Sequence, residues 1–296
     1  MRIRIAARGS LLSRIQVKIV EEKLRNLGIE TELIVVKTKA DLFQDKPLNS
    51  LGKGVFEKEV NEAVINGEAD IAVHSMKDML SDMNEKLVLY GVLPRDSPYD
   101  SLVAEKDLFN IESGKVIGTS SIRRRSMISF YRRDLVVKDL RGNIDTRLKK
   151  YRSKEYDGIV IAEAAIKRLN ADVRYYKIDP KIITPEANQG IIAIVGRVNE
   201  ELNALFRELN DERTLKEALV ERAVVKLLGG GCHSPIGILA SMISDNEFNV
   251  ISTYVIDNKK KITIEGIYRG DPTTVGEKVV KDMIKVLKHE NSSVTT

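Results

Sequence analysis

The chain has 296 residues, 43% apolar and 31% charged, a balance that supplies two or three packed cores and excludes the low-hydropathy, high-charge pattern of disorder. Its 48 basic and 43 acidic side chains leave a net charge of +5, which fits an acidic ligand without requiring one. A single cysteine, Cys232, rules out an intrachain disulfide and a four-cysteine zinc site, and three histidines argue against a histidine-rich metal centre. No apolar run approaches the ~20 residues that span a bilayer. The N-terminus alternates without a signal-peptide core, so a cytoplasmic protein without membrane contact is expected.

Residues 2–7 alternate as a strand, and Ser10 stands as a cap before helical spacing from Leu11 to Leu27, closed by Gly28. Residues 31–37 read as a second strand, and 38–54 as a long loop of the kind that forms lids. A helix is expected from Phe56 to Ile65. A strand over 69–73 then delivers His74-Ser75-Met76-Lys77-Asp78 at its carboxyl end. The turn-rich stretch 94–100 reads as a domain crossing. Beyond it lie strands at 115–118, 135–138 and 157–161 and helices at 121–131, 143–151 and 163–169. After Pro185 a strand at 191–195 returns to the first domain. Thr214 is expected to cap a helix running to Leu228, before Gly229-Gly230-Gly231-Cys232. Strands at 236–242, 247–255 and 261–268 and a helix at 275–288 complete a small α+β unit, with a frayed tail at 290–296.

Alternating strands and helices argue for an α/β fold with mixed, largely parallel sheets, whose ligands gather at the carboxyl ends of strands. The expected domains are 1–95 with 190–210, then 98–186, then 212–296.

Three corners carry anion-binding chemistry. Thr119-Ser120-Ser121 precede a helix whose first turns hold Arg123, Arg124 and Arg125. Arginine there opposes the helix dipole, so an anion nearby is expected to offset the conflict. Leu140-Arg141-Gly142-Asn143 repeats the plan, with Arg147 one turn on, and Arg8-Gly9-Ser10 is a third corner in the first domain. Two domains with such corners facing one another enclose an anion. A cysteine behind three glycines is displayed rather than packed, which suits a nucleophile. Asp78 beside Lys77 at a strand end suits the holding of a cationic intermediate and proton transfer.

Taken in order, the stretches 6–10 (AARGS), 51–59 (LGKGVFEKE), 69–78 (ADIAVHSMKD), 118–125 (GTSSIRRR), 139–148 (DLRGNIDTRL), 156–169 (YDGIVIAEAAIKRL), 188–190 (NQG) and 229–237 (GGGCHSPIG) resemble the hydroxymethylbilane synthase (porphobilinogen deaminase) family. The resemblance implies two domains like periplasmic binding proteins, crossed twice by the chain, and a third bearing the cysteine loop. It implies a monomeric enzyme that joins four porphobilinogen units head to tail on a dipyrromethane cofactor tethered to Cys232, with Asp78 as the catalytic acid-base group. Arg8, Ser10, Lys77, Thr119, Ser120, Ser121, Arg123, Arg124, Arg141, Arg147 and Gln189 match family positions that bind cofactor or substrate carboxylates. Lys53 and Phe56 match positions beside a mobile lid. The chain departs from the family's habit at Leu11, where proline is usual, at Met79-Leu80 in place of Val-Pro, and at Glu186-Ala187-Asn188 where Pro185 is usually followed by Ala-Val. A non-catalytic clamshell receptor is the first rival reading. A nucleic-acid binder is the second, but 5% aromatic residues and the lack of an RNA-binding signature weigh against it.

Overall fold

The computed structural model describes residues 1–42, 54–229, 234–257 and 260–292. In chain order the first part runs β1 (Arg2–Arg8), α1 (Leu11–Asn26), β2 (Glu30–Val36), α2 (Lys39–Leu42), α3 (Lys58–Ile65), β3 (Ile71–Ser75) and β4 (Leu87–Val92). The chain then crosses to β5 (Asp100–Ala104), β6 (Val116–Gly118), α4 (Ile122–Tyr131), β7 (Val136–Lys138), α5 (Ile144–Arg152), β8 (Gly158–Ala162), α6 (Glu163–Arg168) and β9 (Tyr175–Lys177). It returns through β10 (Ile192–Arg197) and α7 (Glu200–Leu209). The last part is α8 (Glu212–Leu227), β11 (Ile236–Ser244), β12 (Glu247–Val255), β13 (Lys261–Arg269) and α9 (Pro272–Ser292).

The strands form two five-stranded sheets, in the orders β2-β1-β3-β10-β4 and β7-β6-β8-β5-β9, and a three-stranded antiparallel sheet β11-β12-β13. The mixed α/β architecture expected from the sequence is present. In each large sheet one strand opposes the rest: β10 is antiparallel to β3 and β4, and β5 to β8 and β9. Both are the first strand after a crossing, so the reversed strand is the one fed in from the opposite side. Parallel strands buried on both faces read as apolar runs. Accordingly β8 (GIVIA) is buried throughout, while in β1 Ile3, Ile5 and Ala7 face the core under α1 and α7, and Ala6 faces the core under α3 and α8.

Several sequence expectations shift. β3 extends to Ser75, and Met76–Asp78 form a 3-10 turn at its end. The long loop expected at 38–54 begins instead with the short helix α2, and its 43–53 portion lies outside the described residues. The cap of α8 is Asp211, whose carboxylate accepts from the Thr214 N–H at 2.7 Å. Thr214 is not the cap because its buried hydroxyl accepts from the Arg95 N–H at 2.9 Å. Strands β4, β5 and β9 and helix α7 were not anticipated.

The two crossings lie against each other. The Asp96 N–H donates to Gly190 O at 3.1 Å, and the Gln189 amide donates to Pro98 O at 2.8 Å. Gly190 has φ +89°, and a Cβ there would lie 2.5 Å from Asp96 O, so glycine alone permits the approach. Asp100, fully buried at the start of β5, accepts from Arg123 at 2.6 Å, from Arg124 at 2.7 Å and from the Gln189 amide at 2.9 Å. Burial opposes ionisation of Asp100, but the two guanidiniums outweigh it and hold the carboxyl well below its usual range. Its contribution is therefore complete above the ordinary carboxylate range and is lost only as pH falls through the depressed value. Asp100→Asn should cost ~3–5 kcal/mol by chemical denaturation, because two buried guanidiniums lose their counter-ion. A loss below about 1 kcal/mol would show that they re-pair elsewhere.

Candidate functional site

A cleft opens between the two large sheets at the carboxyl ends of β1, β3 and β8. It is lined from the first side by Arg8, Ser10, Gln16, Phe56, Ser75, Lys77 and Asp78, and from the second by Arg124, Asn143, Arg147 and Arg168. Gln189 and Gly190 of the return crossing form its floor.

Each position has a local cause. β1 ends at Arg8, and Ser10 caps α1 by accepting from the Ser13 N–H at 3.3 Å. The Arg8 guanidinium stacks over the Phe56 ring at 4.7 Å and forks onto Asp41 of α2, at 2.5 and 3.3 Å. The tight turn after β3 aims Lys77 and Asp78 into the cleft. The Lys77 ammonium donates to Gln189 Oε1 at 3.2 Å and lies 3.8 Å from Glu186 Oε2. Asp78 has no hydrogen-bond or ion-pair partner for its carboxylate among the described residues. Burial pushes the Asp78 carboxyl up; Lys77 counters this, Glu186 adds to it, and Arg8 and Arg147 counter it more weakly. His74, buried behind the turn, donates from Nε2 to Asn61 Oδ1 at 2.9 Å, and burial with Arg8 nearby drives its pKa down to about 4. It is thus a neutral, satisfied core group.

The second side divides the arginine cluster. Arg123 is buried behind the cleft wall, bound to Asp100 and to Thr184 O at 2.6 Å, and does not line the cleft. The anion that the first turn of α4 called for is this internal carboxylate. Arg124 shares Asp100 but also lines the cleft. Arg125 pairs with Asp139, and Arg132 with Asp134, so both are spent on structure. The hydroxyls of the corner are local: Ser121 caps α4 by accepting from Arg124 N–H, Thr119 accepts from Ser121 N–H at 3.2 Å, and Ser120 donates to Leu140 O at 2.7 Å. Arg141 precedes α5, partly buried. Arg147 donates through Nε to Gly142 O at 2.8 Å, while its Nη atoms have no partner among the described residues. Burial, with Arg124 and Arg141 close by, lowers the Arg147 pKa to about 10. Lys53 and Cys232 lie outside the described residues.

Sequence reasoning missed Gln16, whose amide donates to Ser75 Oγ at 2.7 Å, and Arg168, which lines the cleft while bound to Gly190 O at 2.7 Å. A glutamine on the buried stripe of α1 is a signal that was available. Arg168 reads as an ordinary basic residue in the last turn of a helix.

The leftover charges define what fits. A guanidinium with two unused nitrogens, beside other cations, selects carboxylates, and an unengaged carboxylate opposite selects a cation. An acidic pyrrole chain with a positively charged reacting ring meets both demands, so the residues present fit the dipyrromethane cofactor. The described residues include no group of three metal-ligating side chains and no helix long and apolar enough to cross a membrane. Because the Arg147 charge is crowded by like charges, Arg147→Leu should leave the thermal midpoint unchanged or raised, while binding of a multivalent carboxylate falls about tenfold or more. A lowered midpoint with unchanged carboxylate binding would give Arg147 a structural role.

The description "Porphobilinogen deaminase, dipyromethane cofactor binding domain" matches residues 3–204, and "Porphobilinogen deaminase, C-terminal domain" matches 215–285. A probable porphobilinogen deaminase of Sulfurisphaera tokodaii is 56% identical over 98% of this chain and 99% of its own. Namesakes from Saccharolobus islandicus and Metallosphaera sedula are 54% and 50% identical, with the same coverage. Among solved structures, substrate binding domain 2 of Lactococcus lactis GlnP covers 77% of this chain and 90% of its own at 14% identity and a TM-score of 0.42, too distant to argue from. With both halves matched and half or more of all positions identical to these relatives, the chain belongs to the porphobilinogen deaminase family.

Proposed function

We propose that this chain is a hydroxymethylbilane synthase. It joins four porphobilinogen units head to tail on a dipyrromethane primer held through a thioether at Cys232, loses one ammonia per unit, and releases the linear tetrapyrrole by hydrolysis. The observation that carries this reading is the pairing, in one cleft, of an unengaged, half-buried carboxylate at Asp78 with the unfilled guanidinium fork of Arg147. Within the same reading the protein acts as a cytoplasmic monomer in three domains, 1–95 with 190–210, 98–186 and 212–296, with no nucleic-acid or membrane partner.

The flanks of the cysteine segment support the tether. Arg222 of α8 donates to Leu80 O at 2.5 Å and to Ser81 O at 2.9 Å, just past Asp78. Glu57 accepts from the Leu80 N–H at 2.9 Å, and the Ile238 N–H donates to Pro185 O at 2.8 Å. The described residues on both sides of 230–233 are thus fastened to the segment after Asp78 and to the return crossing.

The bound cofactor supplies a nucleophilic terminal pyrrole carbon. The chain's own residues do the rest. Arg8, Ser10 and the Arg124–Arg147 pair receive the acetate and propionate arms, where forked guanidiniums suit carboxylates better than ammonium groups do. Thr119, Ser120 and Ser121 hold the α4 corner, and Arg123 acts through Asp100. Arg141 sits at the mouth of α5, where it adds positive charge. Lys77 and Gln189 position the turn that carries Asp78. Phe56 lies under Arg8, and Phe56 and Lys53 are assigned to the lid by the family resemblance alone. Loss of ammonia from porphobilinogen leaves a delocalised azafulvenium cation. Asp78 faces it as a carboxylate, stabilising the charge and exchanging protons at the pyrrole nitrogens. Burial raises the proton affinity of Asp78 above that of a solvated carboxylate, the direction that favours this exchange.

Two variants test the assignment, with product read by Ehrlich's reagent. Cys232→Ser should stay folded, retain no bound pyrrole and make no tetrapyrrole; normal product formation would remove the tether. Asp78→Asn should fall by about 10²–10⁴-fold in turnover; near-normal turnover would take Asp78 out of the chemistry.

A further inference from the structure

Glu186, on the return crossing, brings a carboxylate to Lys77, which lines this cleft. Its place is fixed by the backbone on either side. The Pro185 carbonyl accepts from Ile238 N–H at 2.8 Å, and the Asn188 N–H donates to Glu221 Oε2 at 2.6 Å. Asn188 takes a left-handed φ of +63°, and the Gln189 N–H closes a turn onto Glu186 O at 3.1 Å. From this pinned turn the Glu186 carboxylate reaches the Lys77 ammonium at 3.8 Å, beside the Gln189 contact at 3.2 Å. Both side chains are about three-quarters buried, at 27% and 23% exposure.

We propose that Glu186 is a positioning residue: it holds the Lys77 ammonium toward the return crossing, so that Asp78, the next residue in the turn, faces the cleft without a direct ion pair to its neighbour. This rests on the role given above to Asp78. The turn offers Lys77 two carboxylates, and the contact it makes is with the one in the opposite strand. The charged groups around Asp78 are Lys77 in its own turn, Glu186 on the crossing, Arg8 at the end of β1, Arg147 on α5, and Glu57 ahead of α3, whose carboxyl in turn is affected by Asp78. Lys77 stays the nearest charge opposing protonation of Asp78, and Glu186 weakens that help by competing for the same ammonium at 3.8 Å while adding a like charge of its own, so both effects raise the proton affinity of Asp78.

The direct test is a carbon-13 carboxyl NMR titration of the purified full chain, with the Asp78 resonance identified by its loss in Asp78→Asn. Glu186→Gln should lower the Asp78 titration midpoint by about 0.5–1 pH unit. Glu186→Asp keeps the charge and should hold the midpoint close to that of the parent chain. The acid limb of kcat/KM with porphobilinogen should move to lower pH in Glu186→Gln, in step with the NMR value. An Asp78 midpoint that stays put or rises in Glu186→Gln overturns the proposal, whatever the turnover. The readouts separate the two claims. A lowered midpoint in a chain that makes no tetrapyrrole overturns the enzyme reading alone. Tetrapyrrole formation with an unmoved midpoint and an unmoved acid limb overturns the role of Glu186 alone.

Discussion

Asp100 is the buried counter-ion around which both large sheets are organised. It is the first residue of the strand fed in by the first crossing, and it accepts from two arginines of α4 and from the amide of Gln189 on the second crossing. Gln189 in turn accepts from Lys77, the residue before Asp78. One carboxylate therefore links the two crossings, the first arginine corner and, through Gln189, the turn that carries Asp78. The arrangement also explains how α4 tolerates two arginines in its first turn. The helix dipole opposes them there, and a fully ionised partner outweighs that opposition.

Beside these internal pairs, charged side chains of both signs line the cleft. Arg125 and Arg132 are paired with nearby aspartates, Arg123 with Asp100, and Arg95 with Glu221 beneath the third sheet. Among the described residues, Arg147 and Asp78 face the cleft with polar atoms unused. Arg8 is intermediate, because Asp41 of α2 fills its fork, and a carboxylate arriving on a ligand competes with Asp41 for it. The site consequently does little to hold a neutral molecule. It suits a polyanion that becomes locally cationic as it reacts.

Much of this was readable in the chain because the informative residues are also the local punctuation. Ser10, Ser121 and Gly28 mark helix ends, and the corners they mark are the corners of the cleft. The alternation of apolar strands with amphipathic helices fixed the α/β class. What was not readable has specific causes. β5 (DSLVA) is a short strand buried on both faces, so it has no alternation to betray it, and its Asp looks like a turn residue until the arginines fold onto it. Asp211 and Thr214 are both good caps three residues apart, and only the tertiary contact from Arg95 decides between them. The roles of Arg123 and Arg168 depend on which acid or carbonyl each meets, which sequence spacing does not encode. Glu186 reads as a departure from a motif, and its reach to Lys77 appears only when the return crossing lies against β3.

The account turns on an acidic pyrrole chain growing while attached to this protein, between the arginines and Asp78. Intact-protein mass spectrometry of the purified chain, before and after brief exposure to porphobilinogen, measures that directly. The expected spectrum starts above the bare chain mass by one dipyrromethane on Cys232 and gains discrete pyrrole increments with substrate. A chain that shows only its bare mass in both samples would contradict it.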